Sequence, residues 1–189
     1  MKKLLISVCA LGFALCSNAQ AVVDNAVIPV SVNINSIMRM NVVSGGNIEF
    51  AFNTIEQYTN GISNSPRYDT KFTVASSINF QVAMYTEDAT LVGSDDAGNS
   101  MDPSLIGFEI ESTGSVDPTE CVDEWTGLDN ANSDSYYIVK AAGGDINANA
   151  YTIHWSCGDD EEGASGSILE ANLSPDRYST NIFLVLSER

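Results

Sequence analysis

Apolar and polar positions alternate with a period of two along most of the chain, in short segments set apart by Gly, Asn, Asp, Ser and Pro. The stretch "AVIPVSVNIN" (26–35) puts Ile28, Val30, Val32 and Ile34 on one face and Pro29, Ser31 and Asn33 on the other. "MRMNV" aligns Met38, Met40 and Val42, and after the turn Ser44-Gly45-Gly46-Asn47 the segment "IEFAF" aligns Ile48, Phe50 and Phe52. Residues 53–68 read as a long polar loop. "KFTVASSINFQVAMYTED" carries Phe72 and Val74, then Ile78, Phe80, Val82 and Met84, with a bend expected at 75–77. "LIGFEIES" sets Ile106, Phe108 and Ile110 against Gly107, Glu109 and Glu111, and "SYYIVKAA", "NAYTIHWSC" and "RYSTNIFLVLSER" supply the later strands. The one helical signal is a turn around 102–105. About nine or ten short strands at this spacing predict an all-β fold, an antiparallel β-sandwich rather than a barrel.

The first 21 residues do not join this pattern. "MKKLLISVCALGFALCSNAQA" has a basic start at Lys2 and Lys3, an apolar run of about 12 residues and a small-residue end at Ala19-Gln20-Ala21, which reads as a secretory signal peptide over 1–21. The apolar run is too short for the roughly 20 residues a spanning helix needs. Residues 22–189 then form a single domain, with no membrane span, exported through a periplasm to the outside or the cell surface. Leu15 before Cys16 argues against a lipid-anchored N-terminus, since a small residue belongs there.

Export changes the reading of charge and cysteine. The 189-residue chain carries 25 Asp plus Glu against eight Lys plus Arg, and cleavage removes two of the lysines. Such a surface repels phosphate backbones and anionic lipid, so nucleic acid is not an expected partner. Of four cysteines, Cys9 and Cys16 leave with the signal, and Cys121 and Cys157 remain. In an oxidising compartment that pair is expected as a disulfide closing a loop of about 36 residues, worth roughly 3 to 4 kcal/mol in the chain-entropy picture.

Catalytic chemistry finds little to use. The alternation places the single histidine, His154, on the outer face of "YTIHWS", with Tyr151, Ile153 and Trp155 inside. "GASGS" (163–167) lacks the final glycine of a nucleophile elbow. Glu109 and Glu111 read as a solvated strand face, and the chain is not expected to be an enzyme. Calcium is the one cofactor the residues suggest, since Asp95, Asp96, Asn99 and Asp102 in "SDDAGNSMD" are hard oxygen donors, as are Asp159, Asp160, Glu161 and Glu162 in "CGDDEE". Neither is an EF-hand loop. Trp125, Tyr136, Tyr137 and Trp155 offer aromatic rings on which surface glycans could stack, Trp155 being the one expected in the core.

The two ends of the mature chain carry a resemblance. "NAVIPVSVNINSIMRMNV" resembles the N-terminal donor strand and first strand of bacterial pilin-type β-sandwich subunits, and "ANLSPDRYSTNIFLVLSER" looks like their closing strand. Glu188 and Asp176 stand where chaperone–usher subunits carry a tyrosine and a glycine, which points to a looser relative. The resemblance implies an incomplete immunoglobulin-like sandwich whose open groove is filled by the N-terminal strand of the next subunit, with Ile28, Val30, Val32 and Ile34 as anchors. It implies a structural or adhesive subunit of a pilus, fibre or matrix, partnered by other copies of itself or related subunits. The other reading is a monomeric secreted module that binds carbohydrate or calcium and keeps the strand in its own sheet.

Overall fold

The computed structural model describes residues 26–63, 65–131 and 136–189. The chain falls into two compact units, Met1–Ile34 and Asn35–Arg189. The signal-peptide reading of 1–21, with Cys9 and Cys16, lies outside the described residues. In the first unit, residues 26–34 belong to no ladder, so the strand expected over 26–35 has no sheet around it.

Among its described residues the second unit is an all-β body of twelve strands in three antiparallel sheets with two short α-helices. Its strands are β1 (Met38–Ser44), β2 (Asp69–Ser76), β3 (Phe80–Thr86), β4 (Leu91–Gly93), β5 (Ser100–Met101), β6 (Ile106–Ser112), β7 (Glu120–Cys121), β8 (Thr126–Gly127), β9 (Tyr137–Ala141), β10 (Ala150–Cys157), β11 (Tyr178–Ser179) and β12 (Ile182–Glu188). One sheet runs β1-β2-β10-β6-β8, a second β12-β3-β9-β7, and a small third β11-β4-β5.

Period-two patterning builds the core between the first two sheets. Directly opposed residues in an antiparallel pair share a face. The register Val74↔Met40, Phe72↔Tyr151 and Ile153↔Ile110 therefore carries one apolar face across β1, β2, β10 and β6. The second sheet presents Phe80, Val82 and Met84 of β3 with Val139 and Ala141 of β9, and all of these merge with the first face into one buried cluster. Phe72 stacks on Tyr151 at 5.2 Å between ring centroids, and Phe108 lies between Trp155 and Tyr136. Trp155 is buried as its position predicts, and its Nε1–H donates to Thr70 Oγ1 at 3.0 Å, which satisfies the one polar atom the ring carries inward. A second, smaller cluster gathers Leu91, Met101, Leu105, Cys157 and Ile168.

Two positions, one in a turn and one within β6, show why glycine stands where it does. Gly45 follows a register slip between Val42 and Ser44 and adopts φ +69°, with its carbonyl accepting from Thr70 Oγ1. A Cβ there would sit 1.9 Å from the Asp69 carbonyl oxygen. At Gly107 the Glu162 carbonyl oxygen occupies the same kind of space, also at 1.9 Å.

The expectation of a strand at "IEFAF" is not met. Residues 48–52 form no ladder, yet Ile48 and Phe50 still pack against the main cluster and Phe50 stacks on Tyr68 at 4.6 Å. Their alternation serves packing without a neighbouring strand to pair with. The polar loop that follows contains helix α1 (Ile55–Asn60), opened by a capping box in which Thr54 Oγ1 accepts from Gln57 N–H and Gln57 Oε1 accepts from Thr54 N–H. A second helix, α2 (Ile168–Ala171), starts at the cap Ser167.

Phe108→Ala should cost about 3 to 5 kcal/mol of unfolding free energy, the range for removing a fully buried aromatic ring. Denaturant unfolding of the purified chain measures it, and a loss under about 1 kcal/mol would contradict this account of the core.

Candidate functional site

The arm comes first. Val27, Ile28, Val30, Val32 and Ile34 each expose 80% or more of their surface. By alternation Ile28, Val30, Val32 and Ile34 form one apolar stripe, which soluble surfaces seldom carry without a partner.

In the folded body, β1 and β12 are the edge strands of the two main sheets and lie beside each other on one flank. Register assigns Met38, Met40 and Val42 of β1 to the inner face, because they oppose Ser76, Val74 and Phe72, all buried. It likewise assigns Ile182, Leu184 and Leu186 of β12 inward, opposite Thr86, Met84 and Val82. Phe72 and Val74 of β2 and Phe80, Val82 and Met84 of β3 expose 0%, yet Met38 exposes 37%, Val42 45% and Ile182 36%, with Met40, Leu184 and Leu186 half-buried. The core is thus uncovered along this flank. Each edge also has one ladder only, β1 with β2 and β12 with β3, so the opposite backbone edge of each strand belongs to no sheet ladder.

His154 sits elsewhere, on the outer face of the first sheet as the alternation predicts. Its Nδ1 lies 2.8 Å from Asp69 Oδ1 and its Nε2 lies 3.4 Å from Glu111 Oε2. A cleft of about 940 Å³ opens around it, lined by Asp69, Glu109, Glu111, Asp117, Glu120 and Asp123 among others. The Asp–His half of a catalytic triad is present, but the nitrogen that would face a serine faces Glu111. Lys140 pairs with Glu120 at the rim and holds that carboxyl below its usual range.

The suggested calcium loop is organised differently from a cation cage. At its centre is the Asp176 carboxylate, which accepts from the N–H groups of Asp95, Asp96 and Arg177 and from Asn99 Nδ2. Four donors hold the Asp176 carboxyl down to about 2, the Asn99 side chain contributing most. Asp96 Oδ1 accepts from Gly98 N–H, and Asp102 Oδ1 caps the turn at Ser104. In the other acidic loop Asp159 accepts from Ser63 Oγ and from Glu161 N–H. Among the described residues no three His, Cys, Asp or Glu side chains gather in a metal-holding group.

The aromatic rings do not assemble into one platform either. Trp155 is buried, Tyr136 packs on Phe108, Tyr137 faces outward under Lys140 Nζ, and Trp125 is half-buried at the edge of β8.

The expected disulfide is not formed, and the correction has a geometric cause. Cys121 lies on β7 in one sheet and Cys157 at the end of β10 in the other, and both are free thiols. Cys121 Sγ donates to the Ile110 carbonyl. Ile110 stands opposite Ile153, four residues up β10 from Cys157, or about 13 Å along the strand. A bridge needs Cα atoms roughly 5.5 to 6 Å apart. Burial pushes the Cys121 thiol up to about 11, helped by Asp123, and the Cys157 thiol up to about 12.

With this geometry in hand, comparison with known proteins gives no relative: no protein-family model matches the chain, and no curated protein matches it. The functional reading therefore rests on the residues themselves.

Two outcomes follow for the titrating groups. Both thiols should react with a thiol reagent once the chain is denatured without reductant, and reductant should leave the melting temperature unchanged; a blocked pair would restore the disulfide. Because the folded thiols are raised, their contribution to stability is complete below the unfolded value near 8.5 to 9 and is lost as pH climbs toward 11. For Asp176 the sign reverses: its contribution is present above about pH 4 and fades as pH falls through about 2. Asp176→Asn should remove that acid limb in melts recorded from pH 5 to 2.

Proposed function

We propose that this chain is a structural or adhesive subunit of a bacterial cell-surface or extracellular assembly, exported by its first 21 residues and built as an immunoglobulin-like, pilin-type β-sandwich. Copies join when the arm of one, through Ile28, Val30, Val32 and Ile34, occupies the flank between β1 and β12 of the next. The observation that carries this reading is the flank itself, where residues assigned to the inner face by register stay partly exposed although Phe72 and Val74 of β2 and Val82 and Met84 of β3, opposite Val42, Met40, Leu186 and Leu184, are fully buried. A missing strand would leave that signature. The arm has matching chemistry and length: nine extended residues reach about 30 Å, and the seven-residue edge strands about 23 Å.

Energetics favours the exchange. Burying each anchor contributes about 1.5 to 3 kcal/mol before the cost of ordering the arm. Adding a strand to an open edge also satisfies backbone groups that otherwise rely on water. The arm carries no charge between Ala26 and Ile34, so it enters an acidic neighbour without repulsion.

Deleting residues 22–35 tests this reading. The truncated chain should keep the melting temperature of the wild type within a few degrees and sediment as a monomer, whereas the mature wild type forms multimers that appear as filaments by electron microscopy. Val32→Asp should have the same effect as the deletion on assembly. Unfolding of the truncated chain, or a wild type that stays monomeric at high concentration, would overturn the proposal in favour of a strand that serves its own fold.

A further inference from the structure

Pro29 adds a constraint on how the arm pairs. In an extended strand the N–H and C=O of one residue leave on the same side within the sheet plane, and successive residues alternate sides. Side chains alternate above and below the plane with the same period. Ile28, Val30, Val32 and Ile34 therefore share one apolar face and also one hydrogen-bonding side, while Pro29, Ser31 and Asn33 share the other side. Pro29 has no N–H, and proline in sheets sits where the absent donor would face solvent.

We propose that the arm pairs one-sidedly with a second copy of this chain: the backbone of Ile28, Val30, Val32 and Ile34 carries the ladder to one edge strand of that copy's β1–β12 flank, and the Pro29, Ser31 and Asn33 side of the backbone stays unpaired. The inference rests on the strand-exchange reading above and adds which backbone groups do the joining. The same four residues then supply both the side chains that cover the exposed inner face and the amides that extend the sheet. The polar side chains of Ser31 and Asn33 fall on the opposite, solvent face, where their chemistry belongs.

A second copy is favoured as host by the join between arm and body. Ile37 N–H donates to Ser77 Oγ, and Ile37 C=O accepts from Ser77 N–H, so the chain is tied into the sheet up to residue 37. Returning the arm to its own flank would require a reversal within Asn35-Ser36. A type I′ turn wants φ > 0 at both central positions, which asparagine tolerates and serine does not, and a type II′ turn prefers glycine at its first position, where Asn35 stands.

Proline substitution in the full mature chain tests this. Ser31→Pro removes an N–H from the Pro29 side, Val32→Pro removes one from the anchor side, and Val32→Ala controls for the shortened side chain. The restriction that proline places on φ is common to both proline variants. Multimer formation followed by sedimentation should be unchanged within about threefold for Ser31→Pro and should fall about tenfold below Val32→Ala for Val32→Pro, the effect of one ladder bond lost with its acceptor left unpaired. All three monomers should melt with the wild type. Equal loss in Ser31→Pro and Val32→Pro, or a Val32→Pro chain that assembles as well as Val32→Ala, would overturn the one-sided ladder while leaving strand exchange standing. A wild type that never assembles would remove both.

Discussion

An antiparallel sheet with one apolar face has to cover that face along its whole width, and in this protein the covering stops one strand short. The inner faces of β2, β10, β6, β3 and β9 close on each other with residues such as Phe72, Phe80, Phe108 and Val139 fully buried. On the flank where β1 and β12 form the edges, the same inward register continues through Met38, Met40, Val42, Ile182, Leu184 and Leu186, but no strand among the described residues completes the layer. The stability of the body, and the docking role proposed for this flank, both depend on this shortfall. Water contact at six apolar side chains costs free energy that an added strand from outside would recover, since apolar burial contributes about 25 cal/mol per Å².

Much of the body was legible in the sequence, for a reason that is visible residue by residue. Side chains in a strand alternate faces, so Phe72, Val74, Ile110, Ile153 and Trp155 could be assigned inward without knowing their partners, and His154, Glu109 and Glu111 outward. What period two does not encode is which strand has a neighbour. The alternation over 28–34 is as clean as that of β2, yet β2 lies between two ladders and the arm has none. "IEFAF" alternates equally well and forms no strand, because Ile48 and Phe50 find their contacts against the core edge-on, without a backbone partner.

The chemistry of the loops was less readable because its partners are far away in sequence. Asp95, Asp96 and Asn99 look like cation ligands until Asp176, some eighty residues on, arrives as the acceptor of their N–H groups. Cys121 and Cys157 look like a pair until their sheets are known, since spacing says nothing about which layer a residue joins. Helix α1 differs, because its signal is local. Thr54-Ile55-Glu56-Gln57 is a readable capping-box signature, and it was masked by the polar character of the surrounding segment.

The tie between Ile37 and Ser77 has a mechanical side. Connectivity requires that any pull on residues 26–34 enter the folded body through residue 37, where paired bonds to Ser77 meet the first rungs of β1 on β2. A strand loaded along its axis resists as many rungs at once, whereas one peeled from its end breaks them singly. Tensile strength in a chain of such copies would therefore be decided at β1, by the direction in which the force arrives.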